Sequence, residues 1–287
     1  MIYRYDNFSR RNQMKKIFVI MVVLVGICLT NRNCYSISDK EFFNITLEEA
    51  QKGDVKAQDL VGYMYYEGKG VSQDYKKAFE WFEKAAIQGY PNAQYNLGVM
   101  YDSGQGVKKD YKKSFEWFEK AAIQGNSNAQ FNLGFMYNNG EGVKKDYKKA
   151  FEWYKKAAVQ GNSIAQFNLG LMYYNGKGKV VKQDYKKAFE WFEKAAIQGD
   201  SKAQLNLGFM YNNGQGVRQN YKKAFEWYKK AAIQDDPNAQ HSLGLMYYRG
   251  KGVRQDKSIA KEWFGKACDN GLQDGCDAYK DLNEAGY

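Results

Sequence analysis

The chain has 287 residues and a formal net charge of +11 at pH 7, and that length allows one large domain or two ordinary ones. Its 24 Tyr, 17 Phe and 6 Trp residues suffice for a substantial core, while 28 Gly against only 2 Pro favours helices ended by glycine over a sheet protein. Residues 1–36 carry a net +5 of the charge, and the other lysines alternate with acidic residues as on a solvated helix face, so we expect no nucleic-acid partner.

The N-terminal segment has the organisation of a secretory signal peptide. A basic start at residues 14–16 precedes an uncharged apolar run of 13 residues at positions 17–29. Cys34 and Ser36 offer small side chains at the −3 and −1 positions of a cleavage site. We therefore interpret residues 1–36 as a signal for the Sec route, which would leave the mature protein in the periplasm or secreted.

An uncleaved N-terminal membrane anchor is the alternative interpretation of the same segment. The apolar run is short for a bilayer core of about 30 Å, which favours the signal peptide. On either interpretation, this segment is the only expected contact with a membrane. Residues 1–13 precede the basic start, so Met14 is a candidate for the true first residue.

A repeat of 36 residues runs through the rest of the chain. The six tryptophans lie one per unit, at positions 81, 117, 153, 191, 227 and 263. One unit reads AQYNLGVMY from Ala93, then a turn with Gly104 and Gly106, then DYKKSFEWFEKAA from Asp110. A fixed period of this length is typical of a solenoid.

Each unit is predicted to contain two helices. The first carries an interior glycine, Gly98 in the second unit, that would let the partner helix approach closely. The second places Ala78, Trp81 and Phe82 on an apolar stripe. A unit this small cannot bury its aromatic face alone, so we expect stacked units to share a core closed by one indole each. The predicted N-caps are Asp54, Asn126, Asp200 and Asp236 for first helices, and Asp74, Asp110, Asp146, Asp184, Asn220 and Asp256 for second helices.

These residues resemble the Sel-1-like repeat family, a relative of the tetratricopeptide repeat. The family pattern of Ala, Leu-Gly, Tyr, Gly-x-Gly-Val, Asp, Lys-Ala, Trp and Lys-Ala-Ala occurs here in six copies. The resemblance implies an all-α, right-handed superhelical solenoid of antiparallel helix pairs, with first helices on the concave side. We place a cap segment at 37–56, repeats at 57–92, 93–128, 129–164, 165–202, 203–238 and 239–273, and a capping helix at 274–287.

Cys268 and Cys276 are the two cysteines that would remain after removal of the signal. On adjacent antiparallel helices, their Cα atoms can lie within the ~4.4–6.8 Å that a disulfide requires. Similar cysteine pairs occur in exported, cysteine-rich members of the family, and an oxidising compartment favours the bond. We predict a disulfide, with two buried free thiols as the alternative.

In the family that the chain resembles, ligand contacts usually come from the concave face. The repeat period locates that face at the third, seventh, tenth and eleventh residues counted from each opening Ala. Asn amides there can hold a peptide backbone, and aromatic rings add contact area, although packing between first helices is the alternative role of the third and seventh residues. The candidate partner-binding residues are Tyr66, Tyr95, Phe131, Asn138, Asn139, Phe167, Tyr174, Asn175, Asn212, Asn213, His241, Tyr248 and Arg249.

Evidence for catalysis is weak in this sequence. Some exported relatives are described as beta-lactamase-like, so a weak beta-lactam-binding protein or hydrolase is the alternative function. Ser258 and Lys261 form a Ser-x-x-Lys, but no Ser-Asp-Asn or Lys-Thr-Gly accompanies them. His241 is the sole histidine, which excludes a two-histidine dyad or metal cluster. We expect no enzyme activity, no metal and no cofactor.

The expected function is that of an exported scaffold, monomeric, that binds a protein or peptide on its concave face. Two roles are compatible with this function, namely assembly of bacterial envelope proteins and engagement of a host protein. The sequence does not rank them.

Overall fold

In a computed structural model of the protein, the described residues are 37–176 and 180–287. These residues form fourteen α-helices of 12 or 13 residues each. The predicted signal segment at residues 1–36 lies outside the described residues. The helices are α1 Asp39–Gln51, α2 Val55–Glu67, α3 Tyr75–Ile87, α4 Pro91–Ser103, α5 Tyr111–Ile123, α6 Ser127–Asn139, α7 Tyr147–Val159, α8 Ser163–Asn175, α9 Tyr185–Ile197, α10 Ser201–Asn213, α11 Tyr221–Ala232, α12 Pro237–Arg249, α13 Lys257–Asp269 and α14 Gln273–Glu284.

The helices form an array in which each packs against its neighbours in the chain. The first helices of the six repeats are α2, α4, α6, α8, α10 and α12, and the second helices are α3, α5, α7, α9, α11 and α13. Helix α1 packs on α2 and α14 packs on α13, so these two cover the ends. Neighbouring repeats share a core, since Val61 and Leu97 belong to one buried cluster. The predicted all-α solenoid of helix pairs is confirmed.

Side chains cap every helix for which a cap was predicted, whereas α4 and α14 begin without a side-chain cap. Asp54 Oδ1 accepts a hydrogen bond from Ala57 N at 2.7 Å, and Asp110 Oδ1 accepts from two backbone amides at 3.0 Å. Each such cap contributes about 1 kcal/mol. At the other end, Gly104 ends α4 in the left-handed region, with φ 76°. The start of the second helix is therefore set by the same local chemistry in all six repeats.

An interior glycine of each first helix lies against a buried aromatic ring of the second helix. A Cβ added at Gly98 would lie 2.5 Å from Phe118 Cδ1, which is far inside the normal contact distance. The predicted close approach is thus confirmed, and the group that uses it is the ring that follows each tryptophan. The six contacts are Gly62–Phe82, Gly98–Phe118, Gly134–Tyr154, Gly170–Phe192, Gly208–Tyr228 and Gly244–Phe264.

The tryptophans pack against the shared core from its edge. All six are only partly buried. A lysine three residues later lies over each ring, as Lys84 Nζ does at 4.0 Å from the Trp81 ring centroid. The buried residues of α3 are Ala78, Phe82, Ala85 and Ala86, which leaves Trp81 at the edge of the apolar stripe.

Buried glutamines join successive repeats. Gln94 is 5% exposed, and its Nε2 donates to the Ala86 carbonyl at the end of α3 at 3.2 Å. Its Oε1 accepts from Gln124 Nε2, at the end of α5, at 2.7 Å. A buried amide with both ends paired is well tolerated, so each glutamine fastens a first helix to the second helices before and after it. The equivalent residues are Gln58, Gln130, Gln166, Gln204 and Gln240.

Cys268 and Cys276 are joined in a disulfide, with their Cα atoms 4.5 Å apart. The predicted pair is therefore confirmed by the structure. The bond links α13 to α14, so it ties the last helix of the chain to the sixth repeat.

We predict that Gly98→Ala destabilises the protein by about 1–2 kcal/mol. The added methyl group must displace the Phe118 ring, and alanine recovers only about 1 kcal/mol of helix propensity. Urea denaturation followed by circular dichroism measures the change. In a Phe118→Leu background the same alanine should cost less, and an unchanged midpoint for Gly98→Ala alone would contradict the close contact.

Tyr154→Phe is expected to stabilise the protein by about 1 kcal/mol. The Tyr154 hydroxyl is buried, and within residues 37–176 and 180–287 it has no hydrogen-bond partner. Tyr228→Phe is the matched control, because Tyr228 is the equivalent ring of the fifth repeat and its hydroxyl, which lies near Ser242, is not a buried unpaired group, so its removal should be neutral or destabilising. Thermal denaturation of the three proteins decides, and equal shifts for both variants would refute the assignment.

Candidate functional site

The third residues of the first helices lie on the buried rings of the second helices. Phe131 is only 5% exposed and belongs to the core. Tyr95, Phe167 and His241 are half-buried and keep part of their surface accessible. These contacts give the third residues a packing role, and the half-buried ones also remain open to a partner. The ring pairs are Tyr95–Phe118 at 5.7 Å, Phe131–Tyr154 at 5.8 Å, Phe167–Phe192 at 5.7 Å and His241–Phe264 at 5.3 Å between centroids.

Two tyrosines at the tenth position bridge neighbouring repeats. The Tyr66 hydroxyl donates to Gln105 Oε1 at 2.7 Å, and the Tyr174 hydroxyl donates to Gln215 Oε1 at 2.9 Å. Each glutamine lies in the turn of the following repeat. Both rings are half-buried, and their hydroxyl bonds hold them in place at the ends of α2 and α8.

Asparagine pairs end the first helices of the third and fifth repeats. Asn138 Nδ2 donates to Asn139 Oδ1, and Asn212 Nδ2 donates to Asn213 Oδ1, both at 2.9 Å. Asn139, Asn175 and Asn213 are exposed. In each pair, the side-chain amide at the tenth position is therefore hydrogen-bonded to the amide at the eleventh position, and the eleventh residue faces solvent.

The sixth repeat ends the face with a different set of side chains. Tyr248 is 40% exposed, and Arg249 beside it is exposed as well. Burial lowers the pKa of His241 from its usual value, so the imidazole is neutral at pH 7. The neutral ring can both donate and accept a hydrogen bond, and Arg249 supplies the positive charge at this end.

Asp59 occupies the third position of the first repeat, and its burial was not predicted. The carboxylate is 8% exposed and accepts a hydrogen bond from Asn96 Nδ2 at 3.0 Å. Burial raises its pKa to about 7, and the bond from Asn96 opposes this only in part. The first-helix face therefore begins with a carboxyl group that gains a proton near neutral pH.

The Ser-x-x-Lys of α13 does not form a paired site. Ser258 is exposed, whereas Lys261 Nζ donates to Asn283 Oδ1 at 2.7 Å and to the Tyr287 carbonyl. The ammonium group is thus engaged by the C-terminal segment. This arrangement gives Lys261 a structural role and adds no support to the hydrolase alternative.

Two further features bear on ligands and membranes. In the part of the chain that the structure describes, no group of three or more His, Cys, Asp or Glu side chains is arranged to hold a metal ion. Among the fourteen described helices, none is both long and apolar enough to cross a membrane.

The comparisons with known proteins give consistent relatives. The family described as Sel1 repeat matches residues 55–90, 91–126, 127–162, 163–200, 201–236 and 237–272. The structure is similar to a Sel1 repeat protein from Oxalobacter formigenes, with 39% identity, a TM-score of 0.74, and coverage of 80% of this chain and 94% of that one. It is also similar to a protective antigen of uropathogenic Escherichia coli strains displaying an SLR fold, with 38% identity and a TM-score of 0.80 over 85% of this chain and 52% of that one.

A curated relative is the chitin synthase regulator SKT5 of Saccharomyces cerevisiae, 35% identical over 69 residues. The match covers 23% of this chain and 10% of the yeast protein. The chain therefore spans about half of the Escherichia coli antigen and a tenth of the yeast regulator.

We predict that Asp59→Asn stabilises the protein at pH 8 and has little effect at pH 4. The pKa of Asp59 is raised from 3.8 to about 7 by folding, so the folded state binds the proton more tightly. Stability from this group is complete below about pH 4 and is lost as the pH rises through about 7. The expected gain at pH 8 is on the order of 1–3 kcal/mol.

Urea denaturation at both pH values tests this prediction. Glu67→Gln, which removes an exposed carboxylate from the same helix, is the control and should have no such pH dependence. A stability difference between Asp59→Asn and wild type that is equal at pH 4 and pH 8 would contradict the burial of a titrating carboxyl group.

Proposed function

This chain belongs to the Sel1 repeat family, whose members are generally protein-interaction scaffolds, and we propose that it binds an extended protein or peptide segment along its first helices. We further propose that it does so as an exported protein. The site consists of the accessible tenth and eleventh residues together with the half-buried rings at the third position.

The observation that carries the proposal is an alternation of amides and rings at the ends of the first helices. The first helices of the third and fifth repeats end in the pairs Asn138-Asn139 and Asn212-Asn213. The fourth and sixth repeats instead place Tyr174 and Tyr248 at the tenth position. An amide donates and accepts, so spaced amides match the N–H and C=O groups of an extended backbone. The rings between them offer apolar area to side chains of the partner.

The individual candidates contribute differently to this site. Phe131 is buried under its neighbours, so we assign it to the core and not to the partner. Tyr66 and Tyr174 use their hydroxyls between repeats. Their half-buried rings also pack on Tyr75 and Tyr185, so only part of each ring is accessible to a partner. His241, Tyr248 and Arg249 form the C-terminal end of the site, where a partner carboxylate would find a positive charge.

The disulfide supports export. A Cys268–Cys276 bond persists in an oxidising compartment, such as the periplasm or the extracellular space. The predicted signal at residues 1–36 supports the same location from the sequence. The Escherichia coli relative is described as a protective antigen. Both an envelope partner and a host partner fit this location.

A peptide selection tests the proposed site. Peptides selected from a random display library on the purified protein should bind Asn139→Ala/Asn175→Ala at least about tenfold more weakly, because the backbone loses two amide contacts. Fluorescence anisotropy of labelled peptides gives the affinities, and circular dichroism confirms that the variant folds.

The matched control is Lys76→Ala/Lys112→Ala, two exposed residues on second helices. It should leave peptide affinity unchanged. Selected peptides that bind the asparagine variant as tightly as wild type, or a selection that yields no peptide, would count against the proposed site.

A further inference from the structure

One carboxyl group interrupts the series of aromatic and aliphatic side chains at the third position of the first helices. That position is occupied by Asp59 in the first repeat, where the residue is only 8% exposed. Burying an ionised carboxylate without a cation costs stability, because the group loses its hydration. A residue that departs from the local pattern at such a cost is a candidate for a functional role. The other five repeats have Tyr95, Phe131, Phe167, Leu205 and His241 there.

The chain supplies no cation for this carboxylate. Within residues 37–176 and 180–287, Asp59 takes part in no ion pair with a lysine or an arginine. Burial raises the pKa of Asp59, and a single hydrogen bond, from Asn96, lowers it in part. A neighbouring cation would lower the pKa as well. The negative charge is therefore left for a group from outside the described chain to neutralise.

The hydrogen bond from Asn96 is not required by the packing of the repeat. Asn96 Nδ2 donates to Asp59 Oδ1 at 3.0 Å across the junction of the first two repeats. The equivalent amides of Asn168 and Asn206 donate instead to the carbonyl group four residues earlier in their own helices, both at 2.8 Å. An asparagine at this position is thus satisfied without a carboxylate, so the repeat does not need an aspartate opposite it.

The second carboxyl oxygen, Oδ2, remains available. Among the described residues it accepts no hydrogen bond, and it is not one of the side-chain atoms that are both unpaired and fully buried. It therefore retains contact with solvent. A guanidinium group binds a carboxylate best through both oxygens, whereas an ammonium group is a compact charge that one oxygen can accept. With Oδ1 already occupied by Asn96, the free oxygen suits an ammonium group.

Three half-buried tyrosines accompany Asp59. Tyr63 lies one turn further along α2, on the side of the helix that Asp59 shares. Tyr95 holds the equivalent third position in the next repeat, beside Asn96. Burial raises the pKa of Tyr90, and the charge of Asp59 raises it further, so this ring lies within the electrostatic reach of the carboxylate. Tyrosine rings attract ammonium groups and cover the stem of a lysine side chain.

We propose that Asp59 determines specificity at the first repeat by binding the ammonium group of a lysine side chain in the partner segment. This inference rests on the proposed binding of an extended segment along the first helices. The lysine would donate a charge-assisted hydrogen bond to Oδ2 while Asn96 keeps Oδ1. The formal net charge of +11 opposes basic partners at long range, so a preference for lysine would have to come from a local site.

Parallel peptide selections test the preference. Random displayed peptides are selected on purified wild type and on Asp59→Asn, which keeps the shape of the side chain and can still accept the bond from Asn96. Peptides from wild type should share a lysine, and peptides from Asp59→Asn should not. Glu67→Gln removes an exposed carboxylate from the same helix and should select the same lysine-containing peptides as wild type. Circular dichroism checks that both variants fold.

Acetylation of the shared lysine measures the contact itself. By fluorescence anisotropy, the Nε-acetylated peptide should bind wild type at least about tenfold more weakly than the unmodified peptide, because a desolvated charge pair is lost. On Asp59→Asn the two peptides should differ by less than about twofold, since the carboxylate is already absent. Acetylation of the peptide's α-amine should change neither affinity. A loss confined to the α-amine would overturn the assignment to a lysine side chain.

The other outcomes separate this inference from the function on which it rests. Peptides that bind wild type without a preference for lysine overturn the role of Asp59 and leave the proposed first-helix site intact. Acetylation that weakens binding equally on wild type and on Asp59→Asn has the same consequence. A selection that yields no peptide on wild type overturns both proposals.

Discussion

The contact between an interior glycine and the ring after each tryptophan is the constraint on which the rest of the fold depends. Because the Gly98 position has no side chain, the Phe118 ring lies directly on the backbone of the first helix, and the two helices of the repeat reach their observed separation. That separation lets Tyr95 of the same first helix cover the ring, with centroids 5.7 Å apart. Its other side is filled by the next repeat, since Phe118, Leu133 and Met136 belong to one buried cluster. A bulkier residue at the glycine would therefore disturb both the helix pair and its junction with the following pair.

The same packing decides which residues remain outside. Once Ala78, Phe82, Ala85 and Ala86 occupy the inner face of α3, the helix has no room to bury Trp81 fully, and the indole is covered instead by the stem and ammonium of Lys84. Ile87 lies one residue beyond the inner face and is directed to solvent. The buried Gln94 side chain then joins the end of α3 to the next repeat, because it donates to the Ala86 carbonyl and accepts from Gln124. The first-helix face, to which we assign partner binding, is a consequence of this arrangement.

Most of the fold could be predicted because its signals are local and repeated. Asp110 as a cap and Gly104 as a helix end depend on residues within one turn, and Cys268 and Cys276 are close in sequence. The burial of individual side chains was harder to predict, because it depends on contacts between helices that the repeat pattern does not specify. Trp81 and Phe82 are adjacent on the predicted stripe, and only the position of Gly62 distinguishes the buried one. Asp59 was placed on the binding face, but its burial depends on Asn96 of the next repeat. For the candidate partner residues, sequence periodicity predicted the position of each side chain on its helix, whereas exposure of Phe131 depended on how far Tyr154 extends beneath it.

The differences among repeats, and not their common pattern, carry the specific chemistry of this protein. The shared residues build a scaffold that any chain with this pattern could form, whereas the asparagine pairs, the carboxyl group of Asp59 and the charged end at Arg249 occur at single repeats or alternate ones. The proposed partner would contact the first helices, where these differing residues lie.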